Sequence, residues 1–224
     1  MWQALVNGIQ SILTFFYNAT VTLGIPSYAL AILFFTLLIK LILYPLTYKQ
    51  MNSMKKMQEI QPEVKALQEK HKKNPEKANK EVMELYKTRG VNPMAGCLPL
   101  LLQMPILIAL FQALREFQYS DLGSGMLWVP HLKDPDPFYV IPILVAIATF
   151  FQTKLTTPDT GGDAATSSTN KMMLYFMPLF IGYVSLQFPA GLGLYWIFFG
   201  VFGTLQQLYI NRKSDMQKGE EGGQ

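Results

Sequence analysis

Cysteine is almost missing from this chain: Cys97 is the only one in 224 residues. No disulfide can form within it, and the redox compartment leaves no mark on the sequence. Charge is scarce too. Charged side chains make up 15% of the residues, against about 25% in ordinary soluble domains, and the first 27 residues carry none. The only histidines, His71 and His131, lie in different regions, so no metal-ligand spacing arises. Glycine-rich phosphate loops, a nucleophile elbow and zinc spacings are also absent. These absences leave no catalytic residue, metal or cofactor to expect. The net charge of +4 is distributed in a way that does not suggest nucleic-acid specificity.

Apolar residues are abundant and come in blocks. They form 50% of the chain, and five segments approach the roughly 20 residues needed to cross a hydrocarbon core. These are residues 28–48, 97–114, 138–154, 172–188 and 191–210. The second, third and fourth are short and contain proline (Pro99 and Pro105, Pro142, Pro178). Five such blocks in one small chain predict an all-α membrane protein with five transmembrane helices.

Charge then sets orientation. Residues 49–91 hold eleven Lys or Arg against six Glu, whereas 115–137 holds Arg115 and Lys133 against Glu116, Asp121, Asp134 and Asp136. The tail adds Arg212, Lys213 and Lys218. Lys and Arg accumulate on the cytoplasmic side of membrane proteins. The expected topology is multi-pass with the N-terminus outside and the C-terminus inside. Residues 1–25 lack the basic start and cleavage site of a signal peptide. Trp2, Leu5, Ile9, Ile12, Leu13 and Phe16 recur at helical spacing, which predicts an amphipathic helix on the outer interface, ended by Gly24 and Pro26.

Residues 50–90 are too polar to span. Met54, Met57, Ile60, Val64 and Leu67 form one apolar stripe and Ala78, Val82 and Leu85 another, with Asn74-Pro75 as the turn between them. The prediction is an antiparallel helical hairpin on the cytoplasmic side: a plain connector, or a docking surface with anionic-lipid contact. Residues 155–171 are rich in Gly, Ser and Thr and predict a flexible loop. Residues 213–224 form a basic and polar cytoplasmic tail.

One charge lies inside an apolar run. In AILFFTLLIKLILYPL, residues 31–46, Lys40 sits nine residues above Lys49, roughly 13 Å deep at about 1.5 Å per residue. A snorkelling lysine reaches only part of that distance, and intramembrane charges usually face an interior or a wet cavity. Thr36 lies one turn away on the same face. Gln103, Gln112, Gln152 and Gln187 are polar groups at similar depths on other spans, and no acidic residue occurs inside any span. A cavity with one cation, several amides and no counter-ion should attract an anionic visitor. Tyr195 and Trp196 suit either an interfacial aromatic belt or a cavity wall.

Particular strings carry a resemblance: TLLIKLILYPLTYKQ, SMKKMQEIQPE, ELYKTRGVNPMAGCLPLLLQMPILIALFQALR, and PAGLGLYW followed by QQLYINR. In this order, from about Ile25 to Arg212, they resemble the YidC-type membrane protein insertases of bacteria, and GVNPMAGCLPLLLQMPI is the most specific. The resemblance implies a five-span core at residues 26–212 and a groove open to the cytoplasm and lipid but closed outside. The matching groove residues are Lys40, Thr36, Gln152 and Trp196; Gln103 is added from its depth. It also implies a bacterial plasma-membrane location and nascent membrane proteins as substrates. The ribosome, targeting machinery and Sec translocon would be partners through the hairpin and tail. Where the family usually has Arg, this chain has Lys40. Arg stays charged, whereas a desolvated Lys can lose its proton. The chain is expected to be the minimal core form, without a large extracytoplasmic domain. Two other classes fit the bare residues: a small anion transporter or channel using Lys40, and a membrane scaffold whose hairpin recruits a soluble partner.

Overall fold

The computed structural model describes residues 2–92, 98–119, 123–126, 128–156 and 172–221. Among them the chain is helical, with one isolated bridge between Met126 and Val129. The helices are α1 (Trp2–Thr22), α2 (Tyr28–Glu59), α3 (Gln61–Lys70), α4 (Pro75–Thr88), α5 (Leu98–Glu116), α6 (Val140–Thr156), α7 (Met177–Ser185, entered through a π-helical turn at Met172–Phe176) and α8 (Ala190–Glu221). Cys97, most of the 155–171 loop and the specific 93–97 part of the family strings lie outside the described residues.

Helices α1, α2, α5, α6, α7 and α8 pack together as the main bundle. The long α2 and α8 lie side by side, α6 packs on both α8 and α7, and α1 packs on α2 and α5. Hydrogen bonds fix the relative directions of α2 and α8. Gln206 Nε2 donates to Thr47 Oγ1 at 3.0 Å, and Lys55 Nζ donates to the Asn211 carbonyl at 3.3 Å. Gln58 Nε2 donates to the Leu155 carbonyl at 3.4 Å, so the end of α6 lies at this same end of the bundle.

The opposite end is closed by residues 123–126 and 128–139. The Tyr28 amide donates to the Gly123 carbonyl, that of Ala190 to Asp134, and that of Gly191 to Leu132. Gly123 has φ +74°, and a Cβ there would overlap the Pro26 carbonyl, so this close approach needs glycine. The starts of α2 and α8 therefore meet part of the segment read from charge as outer at one end, and Lys55, Gln58 and Asn211 lie at the other.

Asp136 organises the closed end. It is 4% exposed, and its carboxylate accepts from Trp128 Nε1, the Phe138 amide and the Ile141 amide. The last of these donors belongs to the first turn of α6, where a carboxylate is favoured by the exposed N–H groups. The sequence marked Asp136 only as an outer charge. Asp136→Ala would strand three donors, each worth roughly 1 kcal/mol or more when buried. The expected result is a loss of about 2–4 kcal/mol, read as a clear fall in the thermal unfolding midpoint in detergent; an unchanged midpoint would contradict this role.

Local rules explain the helix ends. Ser27 caps α2 by accepting from the Leu30 amide, and Asn74 caps α4 by accepting from the Lys77 amide, with Pro75 at the first helical position. Gly24 (φ +77°) and Gly90 (φ +62°) end α1 and α4 in the left-handed conformation expected of such stops. The first hairpin stripe differs from expectation. Met54 and Met57 belong to α2, which runs unbroken to Glu59, and α3 begins only at Gln61. Pro62 has no N–H to donate back to Gln58, so the helix breaks just before it.

Beyond that break, α3 and α4 fold back on each other. Ile60, Val64, Val82 and Val91 are buried together, with Met57, Leu67, Leu85 and Tyr86 against them. Arg89 Nη2 reaches both oxygens of Glu63 at 2.8 and 2.9 Å, and His71 Nε2 lies 3.0 Å from Glu81. This small core is separate from that of the main bundle.

The buried face of α1 consists of Val6, Ile9, Leu13, Tyr17 and Thr20, while Trp2 and Leu5 are exposed. The expected stripe is therefore rotated toward Val6 and Tyr17. Helix α1 crosses the closed end: Trp2 Nε1 donates to Gln112 Oε1 at 2.7 Å, Gln10 donates to the Ala113 carbonyl, and Tyr17 stacks on Tyr28.

By length and composition, α2 is the one described helix that clearly qualifies as a membrane span; Val140–Leu155 and Met172–Ser185 are apolar but shorter. The outward faces of α2, α6, α7 and α8 are nevertheless apolar. Leu41 and Ile42, Ile143 and Phe151, Leu179 and Tyr183, and Leu205 and Tyr209 are each more than half exposed. Exposed apolar surface on this scale marks contact with lipid or protein rather than water.

Candidate functional site

Helix α2 carries a polar stripe on its inner face. Thr36, Lys40, Thr47 and Gln50 are spaced by four, seven and three residues, which keeps them on one side of the helix. All four are buried. Lys40 is only 7% exposed, so it points into the bundle instead of reaching an interface.

Its ammonium rests on α8. Nζ lies 3.5 Å from the centroid of the Phe199 ring. A Cβ placed on Gly203, one turn further along, would lie 3.0 Å from Lys40 Nζ and 3.1 Å from Gln152 Nε2. Lys40 of α2 and Gln152 of α6 therefore converge over Gly203, in a gap that a Cβ at this position would crowd. Among the described residues, no carboxylate forms an ion pair with Lys40.

The remaining expected residues are nearby but engaged. The Thr36 hydroxyl donates to the Ile32 carbonyl at 2.6 Å, which fastens it to its own helix. Trp196 Nε1 donates to Thr149 Oγ1 at 3.0 Å, which ties α8 to α6. Gln103 Nε2 donates to the Tyr195 hydroxyl at 2.6 Å. Tyr195 is 1% exposed and belongs to the core, which removes the interfacial-belt reading for it. Gln112 pairs with Trp2 and Glu116 at the closed end, and Gln187 is exposed past the end of α7. Neither joins the Lys40 cluster.

A pocket of about 250 Å³ lies between α6 and α8, lined by Leu144, Ile147, Phe151, Ile197, Val201 and Leu205 among others. It is apolar and includes none of the five expected site residues. Within the polar cluster Lys40 and Thr36 are buried while Gln103, Gln152 and Trp196 are half-buried, and no three His, Cys, Asp or Glu side chains gather among the described residues.

Four participants escaped the sequence reading. Phe199 and Gly203 look like ordinary span residues. Gln50 and Gln207, 4% and 2% exposed, sit at the seam of α2 and α8, between the Thr47–Gln206 and Lys55–Asn211 contacts. Both Gln50 amide atoms and Gln207 Oε1 lack a hydrogen-bond partner among the described residues. Burying such groups unpaired costs roughly 1–3 kcal/mol each, so this end of the seam is its weak part. The spacing of Gln50 from Lys40 and Thr47 was the available signal.

Comparison with known proteins follows the same outline. The 60Kd inner membrane protein family matches residues 19–218. A relative from Clostridium perfringens named membrane protein insertase YidC is 45% identical over 190 residues, which cover 82% of this chain and 78% of that protein. One of the same name from Caldanaerobacter subterraneus subsp. tengcongensis is 38% identical, over 88% of this chain and 91% of the relative. Another from Wolinella succinogenes is 43% identical over 84% of this chain. The chain spans about a third of the Wolinella protein, 34% of its length. A solved structure described as an active YidC insertase with its first transmembrane domain resolved superposes with a TM-score of 0.66 at 29% identity, over 89% of this chain and 45% of that one. The family match and the near full-length similarity to the Caldanaerobacter protein agree: this chain belongs to the 60Kd inner membrane protein family, as a YidC-type member.

Proposed function

We propose that this chain is a membrane protein insertase that moves nascent membrane proteins from the cytoplasm into the bilayer. The observation that carries the mechanism is a buried lysine with no carboxylate partner among the described residues, held inside a bundle with an apolar exterior. In this reading α2, α5, α6, the π-turn with α7, and α8 are the five spans. Residues 1–25, which include helix α1, lie on the outer interface, residues 26–212 are the core, and 213–224 form a cytoplasmic tail. The N-terminus is outside and the C-terminus inside. At 17 to 19 residues, α5 and α6 reach roughly 26–28 Å at about 1.5 Å per residue. That is slightly short of a hydrocarbon core and favours a locally thinned bilayer around them.

Insertion is physical rather than covalent chemistry. The substrate enters at the seam of α2 and α8, where Gln50 and Gln207 have unfilled hydrogen-bonding capacity. Lys40 attracts an acidic segment, and Thr36, Gln103, Gln152 and Trp196 replace part of the lost hydration once their present bonds open. The substrate's apolar segment then passes into lipid, driven by roughly 25 cal/mol per Å² of apolar surface removed from water. Transfer of an acidic tail is aided by about 2.3 kcal/mol per charge per 100 mV of outside-positive potential. The ribosome, targeting factors and the Sec translocon are partners of the α3–α4 hairpin and the tail. An anion transporter is less well supported, because residues 123–126 and 128–139 close one end of the bundle.

Reconstitution tests this function. Purified protein in liposomes should insert a single-span precursor with an acidic N-terminal tail, and the tail should become protected from added protease. Protection no greater than in protein-free liposomes would refute the proposal.

A further inference from the structure

We propose that Phe199 is a positioning residue for Lys40: its ring face, with the gap at Gly203, forms a seat on α8 that aims the ammonium at incoming carboxylates. This rests on the insertase reading and assigns a role to a residue that carries no polar group.

The geometry is that of a cation over a ring, with Nζ 3.5 Å from the Phe199 centroid. Such contacts strengthen when both partners are withdrawn from water, and Lys40 is 7% exposed. No carboxylate partner competes for the ammonium among the described residues.

The ring is itself held in place. Phe199 lies 5.8 Å from Tyr195 between centroids, one turn away on the same face of α8, and the Tyr195 hydroxyl accepts from Gln103 at 2.6 Å. Gly203 continues that face by one more turn, and a Cβ there would press on Nζ. Residues 195, 199 and 203 thus act in series as anchor, ring and gap.

An ammonium over a π-face points an N–H at the ring and keeps the others for an arriving carboxylate, whereas an internal Asp or Glu would also neutralise its charge. A ring holds the charge in position and leaves it available.

The test uses reconstituted full-length protein with fluorinated phenylalanines at position 199. Mono-, di- and trifluorination change ring volume little and progressively weaken the π-face. Insertion is compared for two precursors that differ only in an acidic or a neutral tail. Initial rates for the acidic tail should fall stepwise with fluorine number, to about one fifth for the trifluoro ring, equivalent to about 1 kcal/mol. The neutral tail should be unaffected. Phe199→Leu should match the trifluoro protein, and Phe199→Trp should restore the acidic-tail rate. A flat fluorination series, or equal losses for both tails, would overturn the proposal. Lys40→Ala run in parallel separates the two levels. If it slows the acidic tail while fluorination does not, the insertase reading stands and the seat fails; if it is also without effect, the electrostatic mechanism itself fails.

Discussion

Replacing Lys40 by glutamate should reduce insertion of an acidic-tailed, single-span precursor about a hundredfold, and replacing it by alanine about tenfold. At 4 Å and an effective dielectric constant of about 20, two unit charges interact by about 4 kcal/mol. Desolvating the arriving carboxylate consumes much of that, which leaves about 1.4 kcal/mol, a factor of ten. Glutamate removes the attraction and adds repulsion, hence the larger effect. Lys40→Arg should retain activity within a few-fold, because the charge persists even though the seat on α8 was built around an ammonium. The measurement is complementation of insertase-depleted cells, scored by protease protection of the tail, with membrane levels of each variant checked by immunoblot. Equal activity of all three variants would end the electrostatic account. Tolerance of Lys40→Leu would favour the scaffold alternative.

The second large effect concerns the hairpin. Deleting residues 61–88 and joining Ile60 to Arg89 through a short glycine-serine linker should bring insertion to the background level. The hairpin core of Ile60, Val64, Val82 and Val91 is separate from that of the main bundle, so the spans should still fold. An unchanged thermal midpoint in detergent would confirm this. The boundary matters: α2 continues to Glu59, and a deletion starting at residue 52 would also remove Lys55 and Gln58, which bind the ends of α8 and α6. Normal insertion by the shortened protein would reduce the hairpin to a connector.

Much of this was legible in the sequence because the signals were chemical. A lysine in an apolar run is conspicuous, and Asn74-Pro75 and Gly90 punctuate α4 where they were expected to. What escaped has a common cause. The partners of Lys40 on α8 are a phenylalanine and a glycine, and in a span rich in both nothing marks one as a ring for a cation or the other as a gap. The face of α1 was misplaced only at its start: Ile9 and Leu13 are buried and Ile12 and Phe16 pack against the core, whereas Trp2 and Leu5 are exposed and Val6 is buried in their place. Leu5 is as apolar as Val6, so hydrophobicity alone does not choose between adjacent registers. Asp136 was read by its charge, whereas its role comes from three donors brought to it by the fold. The apolar stripe from Met54 to Leu67 runs past Pro62 without a gap, and apolar spacing carries no trace of the break that its missing N–H imposes.

The central claim is that the polar part of a substrate passes the cluster of Lys40 and Gln152. A photo-crosslinking amino acid at position 152, facing Lys40 across Gly203, tests it against one at position 179, which is 68% exposed on the apolar exterior. With ribosome-bound precursors of increasing length, position 152 should crosslink to the acidic tail at short lengths and lose it as the chain grows. Position 179 should never crosslink to that tail. Adducts of the tail at position 179 with none at position 152 would contradict the account.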